Sequence, residues 1–189
     1  ATAARHTGFD KLLAEHRAAW HALWQSDIVI DGAPDVQRAV HSDLYYLLSN
    51  TTVGTAWPMG ACALTPGYAG HAFWDSDSWV FPALLLLHPE RARPIAMFRA
   101  RTMQPARERA KRYGAKGTMY PWEADPETGA DYTPHFAYGV WREIHVNADI
   151  AIAQWQYYLA TGDQAWLKQY GWPVIREIAQ FWASRVSWN

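Results

Sequence analysis

Apolar positions recur at three- and four-residue steps over most of the chain, a spacing that predicts helices. From Phe9 to Gln25, the residues Leu12, Leu13, His16, Trp20, Leu23 and Trp24 share one face. Asp27 to Gly32 reads as a short extended or turn segment. Pro34 and Asp35 then open a second helix, whose stripe (Val36, Ala39, Val40, Leu44, Leu47, Leu48) runs to about Asn50. Val53 to Asp75, with four glycines and two prolines, is a long loop. Asp77 to Leu87 is apolar on nearly every side, which predicts a helix in a deep core. Pro89 opens a helix to about Thr102, with Pro94 near its first turn. Ala106 to Tyr113 is a short charged helix closed by Gly114. Gly117 to Gly139 is a second long loop, rich in Pro, Gly, Trp and Asp. Arg142 to Ala160 is a strong helix stopped by Thr161-Gly162, and Asp163 caps a last one that runs to about Val186. Strands are scarce and no short repeat is present. Consecutive helices of this length suit an all-α toroid or bundle.

Composition narrows the function. The chain of 189 residues carries 17 basic and 18 acidic side chains, a net charge of −1 that argues against a nucleic-acid partner. Half of it is apolar, which excludes disorder. The longest unbroken apolar run, around Val80 to Leu87, is far short of the ~20 residues of a membrane span and contains Pro82. Cys62 is the only cysteine, so neither an internal disulfide nor a cysteine zinc cage can form. This is compatible with a reducing cytosol and does not exclude secretion. The chain starts Ala-Thr-Ala-Ala-Arg and stops at Trp188-Asn189 just after a helical pattern, so both ends read as cut. The outlier is 12 Trp beside 10 Tyr and 6 Phe. Each buried indole N–H needs a partner, so such an excess suggests rings that face a ligand, and flat aromatic faces suit carbohydrate.

Three constellations could carry chemistry. The first is Gly70-His71-Ala72-Phe73-Trp74-Asp75-Ser76-Asp77-Ser78-Trp79, where the first long loop meets a helix. Asp75 or Asp77 could cap that helix; equally, Trp74 beside Asp75 offers a ring to stack on a sugar and a carboxylate to take its hydroxyls. An Asp-x-Asp metal motif is discounted, because the Rossmann-like strands it would need are absent. The second is Tyr120-Pro121-Trp122-Glu123 in the other loop, again an indole beside a carboxylate, or else a surface loop with an anchoring Trp. The third is Trp141-Arg142-Glu143-Ile144-His145-Val146-Asn147-Ala148-Asp149. Glu143 is expected in a first helical turn, where the dipole favours acidic residues, and His145 and Asp149 share a face and could simply pair. As a general acid Glu143 would need something to hold its proton, because a helix N-terminus opposes this. Phosphate loops, dinucleotide fingerprints, His-Glu-x-x-His and Gly-x-Ser-x-Gly elbows are all missing.

In this order the three constellations resemble glycoside hydrolase family 65, which includes acid trehalase, kojibiose-, maltose- and trehalose-acting phosphorylases, and a glucosidase acting on glucosylgalactosyl-hydroxylysine. The matching text is GHAFWDSDSWVFPALLLLHPERARPIAMFRARTMQPARERAKRYGAKGTMYPWEAD and then REIHVNADIAIAQWQYYLATGD, within a likeness running from about Gly8 to Trp188. HVNADI and WPVIREIAQFWASRV look closer to the hydrolase branch. The resemblance implies an (α/α)6 toroid, of which about six helices with long functional loops are seen here. It implies residues 1–34 as a linker helix and turn, and residues 35–189 as the N-terminal half of a catalytic barrel truncated at its C-terminal end. The family's general acid falls on Glu143, and its glucose-binding residues fall on Trp74, Asp75, Trp122 and Glu123. The implied reaction is inverting hydrolysis of an α-linked glucosyl unit, with no metal and no cofactor; inorganic phosphate enters as co-substrate only if the chain belongs to a phosphorylase. A non-catalytic sugar-binding or scaffold fragment is the alternative from another class. The base lies downstream in relatives, so the remainder of the polypeptide is expected to close the barrel, and the isolated fragment is expected to be inactive. Trp20, Trp24, Trp155, Trp166 and Trp182 are expected in the core.

Overall fold

The computed structural model describes residues 6–62, 65, 67–136 and 139–187. Trp188 and Asn189, and Ala1 to Arg5, on which the reading of the chain ends rests, lie outside the described residues. The chain divides into two compact units, Ala1–His41 and Ser42–Asn189. In the first, helix α1 (Phe9–Leu23) has no buried residue. Its Trp20 and Trp24 are only half-buried, not core as expected; they stack at 6.3 Å, and Trp24 lies 5.1 Å from His41. His41 in turn meets Asp27 at 2.9 Å, and Gln37 donates to the Ile28 carbonyl and accepts from the Ile30 N–H, which fixes the turn. Helix α2 (Pro34–Ser49) begins in this unit and ends in the second.

The second unit is helical, with one small sheet. Its helices are α3 (Phe81–Leu87), α4 (Pro89–Arg101), α5 (Met103–Arg112), α6 (His145–Thr161), the short α7 (Gln164–Trp166) and α8 (Trp172–Arg185). Two wider π turns interrupt the pattern, Ser76–Val80 before α3 and Leu167–Gly171 before α8. Each precedes a proline, Pro82 or Pro173, in the first turn of the next helix. Proline has no N–H for the carbonyl four residues back, and its ring crowds that carbonyl. At each turn the residue before the proline bonds five back: the Phe81 N–H reaches Ser76 O, and the Trp172 N–H reaches Leu167 O. Asp163 caps the last helical run as expected, accepting from the Trp166 N–H at 2.8 Å. The run stays helical through the π turn, with Gly171 itself at φ −68° and ψ −48°. A Cβ on Gly171 would lie 2.7 Å from the Trp166 ring, so the glycine lets a buried indole pack against bare backbone.

The main apolar cluster joins Met103, Ala106, Tyr120, Val146, Ile150, Val174 and Ile178. The expectation of an all-round buried helix at Asp77–Leu87 is corrected. Phe81, Leu84 and Leu85 are buried, whereas Trp79 is 70% and Leu86 82% exposed. Among the tryptophans assigned to the core, only Trp166 is fully buried; Trp155 is exposed and Trp182 half-buried. Among the described residues, no helix is long and apolar enough to cross a membrane.

Candidate active site

The two long loops are joined by a sheet too short for any periodicity to reveal. Strand β1 (Ala72–Phe73) pairs antiparallel with β2 (Glu123–Ala124), Ala72 opposite Ala124 and Phe73 opposite Glu123. Both strands are buried. The pairing sets the two indole–carboxylate motifs side by side, and the Phe73 ring meets Trp122 edge-on at 5.0 Å. Trp74 and Trp122 both pack against the Tyr120–Val146–Ile150 cluster.

Buried cations hold the strands in place. Arg99, on the inner face of α4, makes a charge-assisted fork to Asp77, with Nη2 to Oδ2 at 2.6 Å and Nε to Oδ2 at 3.0 Å. It also donates to the Phe73 carbonyl at 3.2 Å, and its own carbonyl accepts from the Tyr120 hydroxyl at 2.8 Å. Burial pushes the Asp77 carboxyl up and Arg99 opposes it; burial likewise pushes the Tyr120 phenol up, so it stays a neutral donor. Arg109 on α5 donates to Asp131 at 2.6 Å, to the Tyr120 carbonyl at 3.3 Å and to the Trp141 carbonyl. One buried side chain thus fastens the second loop and the segment that leads to Glu143. Asn147 accepts from the Tyr120 N–H at 2.9 Å and donates to the Thr118 carbonyl at 2.7 Å, which ties α6 to the same loop. Sequence reasoning missed Arg99 and Arg109. The available signal was an arginine beside buried apolar neighbours, such as Ile95 and Phe98 for Arg99. For Asp131 no signal exists.

Asp75 precedes the π turn, but its side chain caps nothing and the residue is exposed. With Phe73, Trp122, Ser76, Tyr68 and Met59 it lines a cleft of about 250 Å³. Glu123 is buried, and its Oε1 accepts from His71 Nδ1 at 2.6 Å. His71, which sequence reasoning quoted but gave no role, therefore aims this carboxylate, with the Tyr132 ring 5.1 Å from its own.

Glu143 is not in a helical turn, which corrects the expectation. Gly139, in the left-handed region at φ 79°, leads into a tight turn, Val140–Arg142. Glu143 follows in extended backbone (φ −66°, ψ 115°), and α6 starts only at His145. The carboxylate therefore stands outside the helix mouth, and its side chain is 36% exposed. Its Oε2 lies 2.9 Å from His145 Nε2, and His145 Nδ1 lies 2.7 Å from Asp149 Oδ2. The expected pairing of His145 with Asp149 is present, and Glu143 joins it. The Trp74 ring meets the His145 ring edge-on at 4.7 Å, and its indole N–H is buried without a partner. Partial burial pulls the His145 pKa down, but the two carboxylates outweigh this and hold it above the ordinary imidazole value. Through Trp74 and His145 the structure links Glu143 to the first motif, and through Phe73 and His71 it links the first motif to Trp122 and Glu123. Among the described residues, no three His, Cys, Asp or Glu side chains converge as a metal site.

Comparison with known proteins gives this arrangement its context. The family model of the glycosyl hydrolase family 65 central catalytic domain matches residues 42–189. A kojibiose hydrolase of Flavobacterium johnsoniae is 47% identical over 185 residues, 96% of this chain and 27% of the relative. A protein-glucosylgalactosylhydroxylysine glucosidase of Dictyostelium discoideum is 38% identical over 95% of this chain and 26% of its own length. A kojibiose phosphorylase of Halothermothrix orenii is 36% identical over 96% of this chain and 25% of its own. A solved structure of a candidate kojibiose phosphorylase from human microbiome superposes with a TM-score of 0.84 at 25% identity, covering 96% of this chain and 24% of that one. The chain spans about a quarter of the length of these relatives. Its helices are those of part of an α/α toroid. With the match extending over the whole second unit, the chain belongs to glycosyl hydrolase family 65, as a part of its central catalytic domain.

Proposed function

We propose that this chain is part of an inverting α-glucoside hydrolase. In this reading Glu143 is the general acid, and Trp74, Asp75, Trp122 and Glu123 hold the glucosyl unit, Asp75 and Trp122 from the lining of the cleft. The observation that carries it is the setting of Glu143: a half-exposed carboxylate held by His145 beside Trp74, itself next to the Asp75 that lines the cleft. The 47% identity to a kojibiose hydrolase supports hydrolysis of a kojibiose-like glucoside. Glu143 protonates the glycosidic oxygen while water attacks the opposite face of the sugar. An inverting enzyme needs a second carboxylate some ~6.5–9.5 Å away to activate that water. Glu123 is committed to His71, so the base is assigned to the remainder of the polypeptide. Residues 1–34 act as the linker and 35–189 as the first half of the barrel. No metal or cofactor takes part.

A second reading, phosphorolysis, is favoured by the kojibiose phosphorylase that is 36% identical. The test is kinetic. The full-length protein is incubated with kojibiose, with and without inorganic phosphate, and free glucose is measured against glucose 1-phosphate. Hydrolysis predicts phosphate-independent glucose release. Strict phosphate dependence overturns it in favour of phosphorolysis. Glu143→Gln is expected to lower turnover of kojibiose by several powers of ten, and a loss under tenfold removes Glu143 from the role.

A further inference from the structure

We propose that Asp149 and His145 form a relay that holds a proton against the Glu143 side chain and hands it to that carboxylate, with His145 as the positioning residue. The inference rests on the reading of Glu143 as the acid and adds how that acid is reloaded.

Donor and acceptor counting carries it. An ionised carboxylate only accepts hydrogen bonds, so the 2.7 Å contact of Asp149 Oδ2 requires the hydrogen on His145 Nδ1. Nε2 is then left with a lone pair in the neutral ring. It faces Glu143 Oε2 at 2.9 Å, a contact that needs one proton between the two atoms. That proton can sit on the carboxyl or on the imidazole, and the two forms carry the same total charge. Removing it leaves a carboxylate against a lone pair, with a second carboxylate behind the ring. Two negative charges then share one site, which disfavours the proton's loss. The hydrogen bonds and charges of Glu143 and Asp149 also hold His145 above the ordinary imidazole range, against its partial burial. The protons belong to the group as a whole, and its titration is shared.

Two carboxylates near the relay carry their own arginine partners. Asp77, in the π turn packed on α6, is forked by Arg99. Glu177 on α8 is forked by Arg107 at 2.6 Å. Arg142 lies over the Trp141 ring at 4.3 Å. The start of α6 and the neighbouring Arg142 guanidinium are the opposing influences, since a helix N-terminus and a nearby cation both favour the unprotonated acid.

In turnover, Glu143 gives its proton to the glycosidic oxygen, the C–O bond breaks, and the aglycone leaves as an alcohol. The attacking water yields one proton to the base, which releases it to solvent, and the remaining hydroxyl completes the free sugar. The His145 side chain is 46% exposed; Nε2 takes a proton from solvent and returns it to Glu143. One proton leaves with the aglycone and one re-enters through the ring.

The experiment compares the full-length wild-type protein with His145→Gln and Asp149→Asn. It records kcat/KM between about pH 4 and 9, on kojibiose and on 4-nitrophenyl α-glucoside, whose leaving group needs little protonation. The alkaline limb on kojibiose is expected to move to lower pH by about one unit or more in His145→Gln. A smaller shift in the same direction is expected in Asp149→Asn, which keeps an acceptor for Nδ1–H but loses the charge. Losses should shrink toward acid pH and on the nitrophenyl substrate. A uniform loss at every pH and on both substrates means a merely structural role and overturns the relay. Thermal melting and near-UV circular dichroism report folding; if His145→Gln does not fold, the limb of Asp149→Asn decides. If Glu143→Gln stays within tenfold of wild type, the reading of Glu143 as acid fails; if Glu143→Gln is inactive but the limb stays in place in the other variants, the relay alone fails.

Discussion

Asp77→Ala is the substitution whose consequence the structure specifies most fully. Asp77 and Arg99 have side chains 0% and 1% exposed, and they meet through three N–H to oxygen contacts, at 2.6, 3.0 and 3.3 Å. Truncating Asp77 leaves the guanidinium with the Phe73 carbonyl at 3.2 Å as a remaining partner, and its Nη1 is already without one. Breaking a buried pair from one side strands a charge and costs about 3–5 kcal/mol. Set against a typical stability of roughly 5–15 kcal/mol, this is about a fifth of the whole or more. With a urea slope of roughly 2 kcal/mol per molar, the unfolding midpoint should fall by about 1.5–2.5 M. The Phe73–Trp122 contact should loosen as well, because Arg99 holds the strand that carries Phe73. Replacing both partners, Asp77→Leu with Arg99→Met, removes the stranded charge and should recover most of the loss. Urea unfolding followed by tryptophan fluorescence and by circular dichroism measures both variants. A midpoint shift under about 0.5 M for Asp77→Ala, or a double variant no better than the single one, would refute the reasoning.

Two further outcomes follow from backbone and titration. Gly117 sits at φ +67°, where an added Cβ would lie 2.0 Å from the Glu177 carbonyl oxygen, so Gly117→Ala must move backbone as well as adopt a strained conformation. It should lose about 2–4 kcal/mol by chemical denaturation, and a loss under 1 kcal/mol would show that the loop moves aside freely. The pH dependence of stability should be bounded on two sides. Against desolvation, Asp131 is held below its ordinary 3.8 by Thr133 and Arg109, and Asp125 is held low by its bonds to Thr128. Their contribution is present above about pH 4 and disappears as pH falls through the lowered values. His145 is raised, so its contribution is complete below its ordinary 6.5 and is lost as pH rises through the folded value. Melting temperature should therefore be highest between about pH 4 and 6.5, and His145→Gln should flatten the alkaline side. An alkaline slope unchanged in that variant would contradict the assignment.

Helices were legible because their evidence is local. The stripe from Val36 to Leu48, the prolines at Pro34 and Pro89, and Asp163 as a cap each act within a few residues, and each agrees with α2, α4 and the last helical run. The start of α6 was misplaced by three residues. Trp141 to Ile144 has acceptable helical spacing, but Arg109 pulls the Trp141 carbonyl toward α5 and holds the segment out of the helix. The two π turns before Pro82 and Pro173 were also hidden, since helical spacing does not register one extra residue in a turn. The tryptophans divided differently from expectation. Helical spacing does not say which face meets a neighbour, so Trp155 on a regular stripe is exposed, whereas Trp74 and Trp122 in loops pack on the core.

By itself, then, the sequence determined the helical character and the two long loops, and it pointed to Trp74, Asp75, Trp122, Glu123 and Glu143 as candidates for the chemistry. Only the tertiary structure decided which of these meet and in what state. Strands of two residues join the loops, because paired backbone and two buried arginines hold them where periodicity leaves no trace. The site's environment is likewise long-range. His71 reaches Glu123 across 52 positions, and Trp74 of the first loop meets His145 of α6. Electrostatics depends on distance in space rather than along the chain. A carboxylate's neighbours therefore emerge only once the helices bring distant segments within a few ångströms.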